Sequence, residues 1–179
     1  TSASSVQLQN GILEGSGIMV LDQISFGGKS RLRLLEDTEI RSVNALALET
    51  VEFQQNHLRL NSETTDLTLE HLTLNAPGEN GLDTGLADLT VNGSVDVQSG
   101  RLASSGGIFN FSGSVQFDPS FSILELENTT LTLINPLQLS SVLRFGGTSS
   151  LPANDLLDLS GASIELSGNL NLDGIHTDN

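Results

Sequence analysis

The side chains able to do chemistry are few in this chain, and their spacing limits what they can do. Three histidines, His57, His71 and His176, share no metal-ligand spacing. His57 lies beside an alternating apolar run, which predicts a solvent-facing strand residue rather than a base. His71 follows Glu70, and neighbours on a strand point to opposite faces, so the pair cannot work on one substrate atom. His176 belongs to a polar tail. Carboxylates are common: Asp155 and Asp158 with Glu165, or Asp66 with Glu70, are placed to approach across neighbouring segments. Glu79-Asn80-Gly81-Leu82-Asp83-Thr84-Gly85 brings an acid, an amide, a glycine and a second acid into one loop. Hard cations take oxygen ligands, so Glu79 and Asp83 are the candidate calcium ligands, with Asp155/Asp158 and Asp173/Asp178 as further pairs. Neither the EF-hand pattern nor the glycine-rich calcium-binding nonapeptide is present, and an ordinary solvated turn is the alternative. No other cofactor is expected.

Two further motifs read better as structure than as chemistry. Gly27-Gly28-Lys29-Ser30 ends like a phosphate loop, but the earlier glycine is missing. Leu32-Arg33-Leu34 also alternates like a strand where a helix should follow. It is read as a turn, with Lys29, Arg31 and Arg33 as a local basic cluster that offsets acids or docks an acidic partner. Asn92-Gly93-Ser94, Asn110-Phe111-Ser112 and Asn128-Thr129-Thr130 are formal glycosylation acceptors. Their spacing follows the repeat described below, which predicts structural turn asparagines.

Composition excludes whole classes of function. Across 179 residues, 7 basic side chains face 22 acidic ones, for a formal net charge of -15. Neither nucleic acid nor an anionic membrane surface would find a basic patch. Cysteine is absent, which removes disulfides, thiolate metal sites and cysteine nucleophiles. Tryptophan and tyrosine are absent too, and Lys29 is the one lysine. An enzyme cleaving acidic glycans would lack its usual cations and aromatic platforms. No apolar run approaches the length of a transmembrane helix.

The elements that must position these residues are strands. Apolar and polar residues alternate in Leu32-Arg33-Leu34, Leu58-Arg59-Leu60, Leu67-Thr68-Leu69, Leu89-Thr90-Val91, Phe109-Asn110-Phe111, Leu131-Thr132-Leu133 and others, with Gly, Asn, Asp, Ser and Pro between them. Glu36 to Ala47 comes nearest to a helical stripe, and Thr38, Val43 and Asn44 break it. Leu89 to Val97 is echoed by Phe109 to Phe117 one period of 20 later, with further echoes near Leu131 and Leu170. This predicts an all-β protein: a single-stranded parallel β-helix, or β-solenoid, of about 20 residues per turn and roughly eight turns. A β-sandwich or barrel, or an open curved sheet, is the alternative. Residues 1–179 read as one domain and as a piece of a larger protein. Residues 1–60 are less regular, a cap or turns of variable length, and 61–179 more regular. Val95, Phe111, Val115 and Phe117 are expected to face inward, and Asp96 and Gln116 outward. Asparagines flanking the strands, among them Asn10, Asn56, Asn61, Asn75, Asn92, Asn128 and Asn135, are expected either to tolerate turns or to bond the neighbouring turn.

Leu89 to Asp118, LTVNGSVDVQSGRLASSGGIFNFSGSVQFD, resembles the repeats of secreted bacterial β-helix proteins, the filamentous-haemagglutinin-like adhesins and autotransporter passengers. Gly107-Ile108-Phe109-Asn110 is also similar to the repeat motifs of chlamydial polymorphic membrane proteins. The resemblance implies a secreted or outer-surface protein whose coils present a binding face. No catalytic residue carries over from it. The expected function is a non-enzymatic structural and adhesive module. Its expected partner is a protein or cell-surface receptor, or a glycan, and its expected state is a monomer or an end-to-end segment of a longer chain. A phage tail-fibre or spike module, or a glycan-active β-helix enzyme, is the alternative.

Overall fold

Alternation with a period of two produces strands throughout, and the turn residues between them fold the strands into coils. The computed structural model describes residues 6–53, 55–61, 66–152 and 156–168, and no helix occurs among them. In chain order the strands begin with β1 (Val6–Gln9), β2 (Ile12–Val20), β3 (Ile24–Gly27), β4 (Arg31–Arg41), β5 (Leu46–Leu48), β6 (Thr50–Glu52) and β7 (Leu58–Leu60). There follow β8 (Asp66–Leu69), β9 (Leu72–Asn75), β10 (Gly81–Asp83), β11 (Asp88–Val91), β12 (Val95–Ser104), β13 (Ile108–Phe111) and β14 (Val115–Phe117). The last are β15 (Ser122–Glu127), β16 (Thr130–Leu133), β17 (Leu137–Gln138), β18 (Val142–Gly147), β19 (Leu157–Asp158) and β20 (Ser163–Gly168).

Every ladder between these strands is parallel, which excludes a sandwich of antiparallel hairpins. The chain winds as a β-solenoid of about 7 turns of roughly 21 residues, slightly fewer and longer turns than the sequence spacing suggested. Each turn visits three faces. One face is the long ladder β2-β4-β7-β10-β12-β15-β18-β20; a second is β5-β8-β11-β13-β16. The third is built from the first parts of β2, β4 and β12 with β6, β9 and β14, and continues as β17 with β19. Inward ranks are apolar: Leu58, Leu82, Leu102, Leu124 and Leu143 stack in register, each fully buried. On the second face Leu46, Leu67, Leu89, Phe109 and Leu131 do the same.

The echo between Leu89–Val97 and Phe109–Phe117 is a register. Leu89 pairs with Phe109 and Val91 with Phe111, then Val95 with Val115 and Val97 with Phe117. Gly93 and Gly113 sit at the same corner on consecutive turns, where a Cβ on Gly113 would overlap the Gly93 carbonyl. The recurring glycine is therefore a steric requirement of close stacking. Val95, Phe111 and Phe117 are buried as expected, while Val115 is half-buried and packs against the same core. Gln116 is exposed and Asp96 half-exposed.

The irregular spacing before residue 60 has a local cause. β4 is 11 residues long and serves two faces: Arg31–Arg33 pair with β6, and Thr38–Ile40 with β7. Leu35, Glu36 and Asp37 protrude between these parts, and β2 carries a matching register shift between Gly15 and Gly17. Glu36 to Ala47, the segment that came nearest to a helical stripe, is thus the second part of β4, a corner at residues 42–45 and the start of β5.

Candidate functional site

The long ladder carries the molecule's most organised polar surface. Its outward rank runs Glu39, Arg59, Asp83, Ala103, Glu125, Arg144, Glu165 in register, so opposite charges lie one strand spacing apart. Ala103 breaks the alternation, and Arg101, two residues earlier on β12, reaches across to Glu125 with contacts of 3.0 and 2.6 Å. Arg144 donates to Glu79 at 2.8 and 3.0 Å, to Glu165 at 2.9 Å and to Glu125 at 3.4 Å. One guanidinium thus ties together carboxylates from β15, β20 and the loop before β10. A shorter network lies on the third face, where Arg33 bonds Glu52 and Glu14 and Arg31 bonds Glu52.

These bonds set the acidity of the carboxylates. The Arg144 hydrogen bonds hold Glu79 below the usual carboxylate range, and Arg101 does the same for Glu125 against the opposing effect of burial. Glu39 is lowered by hydrogen bonds from Arg41 and Asn61. A shallow open depression of about 350 Å³ is lined by Glu125, Glu127, Arg144, Glu165, Leu166 and Ser167, with Leu126 and Gly146. A general acid needs a raised pKa, and Glu125 is shifted the other way.

The sequence-chosen calcium ligands are engaged within the fold. Glu79 is paired to Arg144. The Asp83 carboxylate accepts the N–H of Gly85, two residues on, at 3.0 Å. Among the described residues no three His, Cys, Asp or Glu side chains form a group that could hold a metal ion. Asp158 accepts the Ser160 N–H, which lowers its pKa. Asp155, Asp173 and Asp178 lie outside the described residues.

Both described histidines differ from their strand reading. His57 precedes β7 and is half-buried; its Nδ1 accepts the Gly81 N–H from the next turn at 3.2 Å. Glu70 and His71 occupy the corner between β8 and β9 rather than a strand. The His71 Nδ1 accepts the Ser94 N–H at 3.2 Å, and its ring lies against Gly93, where any Cβ would collide with it. His176 lies outside the described residues.

Gly27-Gly28-Lys29-Ser30 is a corner, as its turn reading predicts, and the chain uses it twice. At Gly146-Gly147-Thr148-Ser149 the second glycine has the same φ of 61° as Gly28. In both, an asparagine one turn earlier with positive φ, Asn10 or Asn128, accepts the following N–H through Oδ1. The serine closes each corner: Ser30 Oγ bonds the Gly27 and Leu8 carbonyls, and Ser149 Oγ those of Gly146 and Leu126. Lys29, Arg31 and Arg33 face Glu49, Glu52 and Glu14, so the local basic cluster is paired internally. Asn56 and Asn135 donate to carbonyls of the preceding turn, and Asn61, Asn75 and Asn92 bond side chains of a neighbouring one. They are single inter-turn bonds, not a continuous ladder. The spacing of the three glycosylation motifs does not follow the repeat, because Asn110 stacks on Thr90 within a strand while Asn92 and Asn128 are at corners.

Sequence reasoning missed the buried hydroxyls. Thr84, Ser104, Thr129 and Ser149 line the interior of one corner, with Thr129 Oγ1 bonded to Ser104 Oγ at 3.0 Å and the Thr129 N–H to Ser149 Oγ at 3.1 Å. The second Gly-Gly-x-Ser was the available signal.

No family model, curated protein or solved structure matches this chain. Among the described residues no helix is long and apolar enough to cross a membrane.

Proposed function

We propose that the chain is a non-enzymatic structural and adhesive module of a secreted or cell-surface protein, of the filamentous-haemagglutinin-like and autotransporter-passenger kind. Its coils extend the molecule and present a lateral face to a protein receptor or glycan. The observation that supports this reading is the continuous parallel stack, whose outward residues recur in ranks at the strand spacing. Such ranks offer a partner the same contact repeated along one axis, and moderate single contacts then add through avidity. A glycan-active enzyme on this scaffold would draw its acid and base from Glu125, Glu127 and Glu165 around the depression. The lowered pKa of Glu125 argues against its serving as the proton donor.

Fluorescent beads coated with the full chain test the proposal on monolayers of cultured epithelial cells and on an array of immobilised glycans. Saturable attachment above beads carrying an unrelated protein of equal negative charge is expected. Attachment no better than that control, together with release of reducing ends from a polysaccharide panel, would overturn the adhesive reading in favour of the enzyme.

A further inference from the structure

A backbone N–H can only donate. The acceptors of the Gly81 and Ser94 N–H groups are the Nδ1 atoms of His57 and His71, so both rings must be neutral, with the proton on Nε2. The two bonds join the same two consecutive turns at different corners. His57 spans 24 residues from the entry of β7 to β10, and His71 spans 23 from the entry of β9 to the entry of β12. Ser94 adds its hydroxyl to His71 Nδ1 at 3.1 Å.

We infer that His57 forms an acid-sensitive seam in the middle of the stack, in which protonation of its ring converts Nδ1 from acceptor to donor and breaks the bond that Gly81 of the next turn makes to it. The surroundings of His57 contain charges of both signs. Asp37, whose carboxylate accepts the His57 N–H at 2.9 Å, and Asp83 on β10 favour the protonated ring. Arg59 on β7 and Arg101 on β12 oppose it, and burial, the largest influence, opposes it further. The result is a pKa below the ordinary histidine value. Around His71 stand Glu70, whose carboxylate is bonded to Asn92, and Glu49, whose carbonyl accepts the His71 N–H. Lys29 faces that same Glu49. For His57, folding excludes a proton that the unfolded chain accepts. The stability this bond provides is complete above about pH 6.5, the unfolded value. It is lost as pH falls from there toward the lower folded value. Glu79 and Glu125 of the ion-pair ladder are held below the usual carboxylate range, so this response begins at a higher pH than theirs.

Amide hydrogen exchange on the ¹⁵N-labelled full chain at pH 7.5 and 5.0, corrected for intrinsic rates, reads the seam directly. Protection of Gly81 is expected to fall about 5- to 10-fold at the lower pH, the factor corresponding to one hydrogen bond, while Val91 keeps its protection. In the H57N variant the asparagine Oδ1 accepts the same N–H without titrating, and protection of Gly81 should be equal at both pH values. Equal protection in the unaltered chain, or the same loss in the variant, would overturn the inference. Imidazole ¹⁵N shifts of the unaltered chain at pH 7.5 provide a test independent of that variant. A neutral ring protonated on Nε2 is expected at His57, and an Nδ1–H tautomer there would also overturn it.

Discussion

Phe111 and Asp96 carry the residue-scale logic of the fold in opposite directions. Phe111 is 1% exposed and its ring lies 5.8 Å from that of Phe109, between Val91 below and Leu133 above. Removing such a side chain costs about 3–5 kcal/mol, and an unpaired carboxylate in its place costs more. Asp96 points outward, and its carboxylate accepts a bond from the Gln98 amide at 2.8 Å. Urea melts should therefore show Phe111→Asp unfolded or aggregated in buffer, with Asp96→Leu within about 0.5 kcal/mol of the parent. The reverse ranking would mean that the inward and outward faces are exchanged. At this scale the alternation was legible because a two-residue period is a local property. The roles of His57 and His71 were not, since their partners stand 24 and 23 residues away, on other turns.

At the scale of elements, the long ladder is held by its inner leucines and trimmed by its outer ion pairs. Glu79 and Glu125 have lowered pKa values in the fold, so their contribution is fully present above the ordinary carboxylate range. It is lost as pH falls through that range toward the lower folded values. Thermal melts should show this acid loss weakened in Arg144→Met, which removes the common partner of Glu79, Glu125 and Glu165. At neutral pH the same substitution should cost about 0.2–1 kcal/mol per severed exposed pair, with the cost shrinking in high salt. A melt insensitive to salt and acid would show that these pairs contribute nothing measurable. The rank itself was hidden in the sequence. Arg59, Asp83, Glu125 and Arg144 have unequal separations, because the corners between faces vary in length, and only the paired strands bring them into line. The strands were legible, and so was the stretch in which two successive faces share one spacing and similar residues, Leu89–Val97 against Phe109–Phe117.

For the whole molecule, parallel stacking of about 7 turns at a strand spacing of about 4.8 Å gives an axial length of roughly 35 Å for the coiled part. Small-angle X-ray scattering of the pure chain should yield a skewed distance distribution with the cross-section of one coil; a near-symmetric compact distribution at monomer mass would contradict the stack. The class of architecture followed from alternation plus one echo. So did the parallel sense, through the echo of one turn in the next; alternation by itself is shared with antiparallel sandwiches, and the parallel pairing of strand residues 18 to 24 apart distinguishes the two.

The corners built from Asn10 with Gly28 and from Asn128 with Gly147 join one coil to the next through side chain and backbone alike, and the ladder bonds run in the same direction, along the axis. Pulled from its two ends, this molecule would bear load on one rung at a time. Force would peel coils away singly, each returning about 21 residues of slack, so the module would act as an extensible tether that lengthens under tension and rewinds when the tension is released.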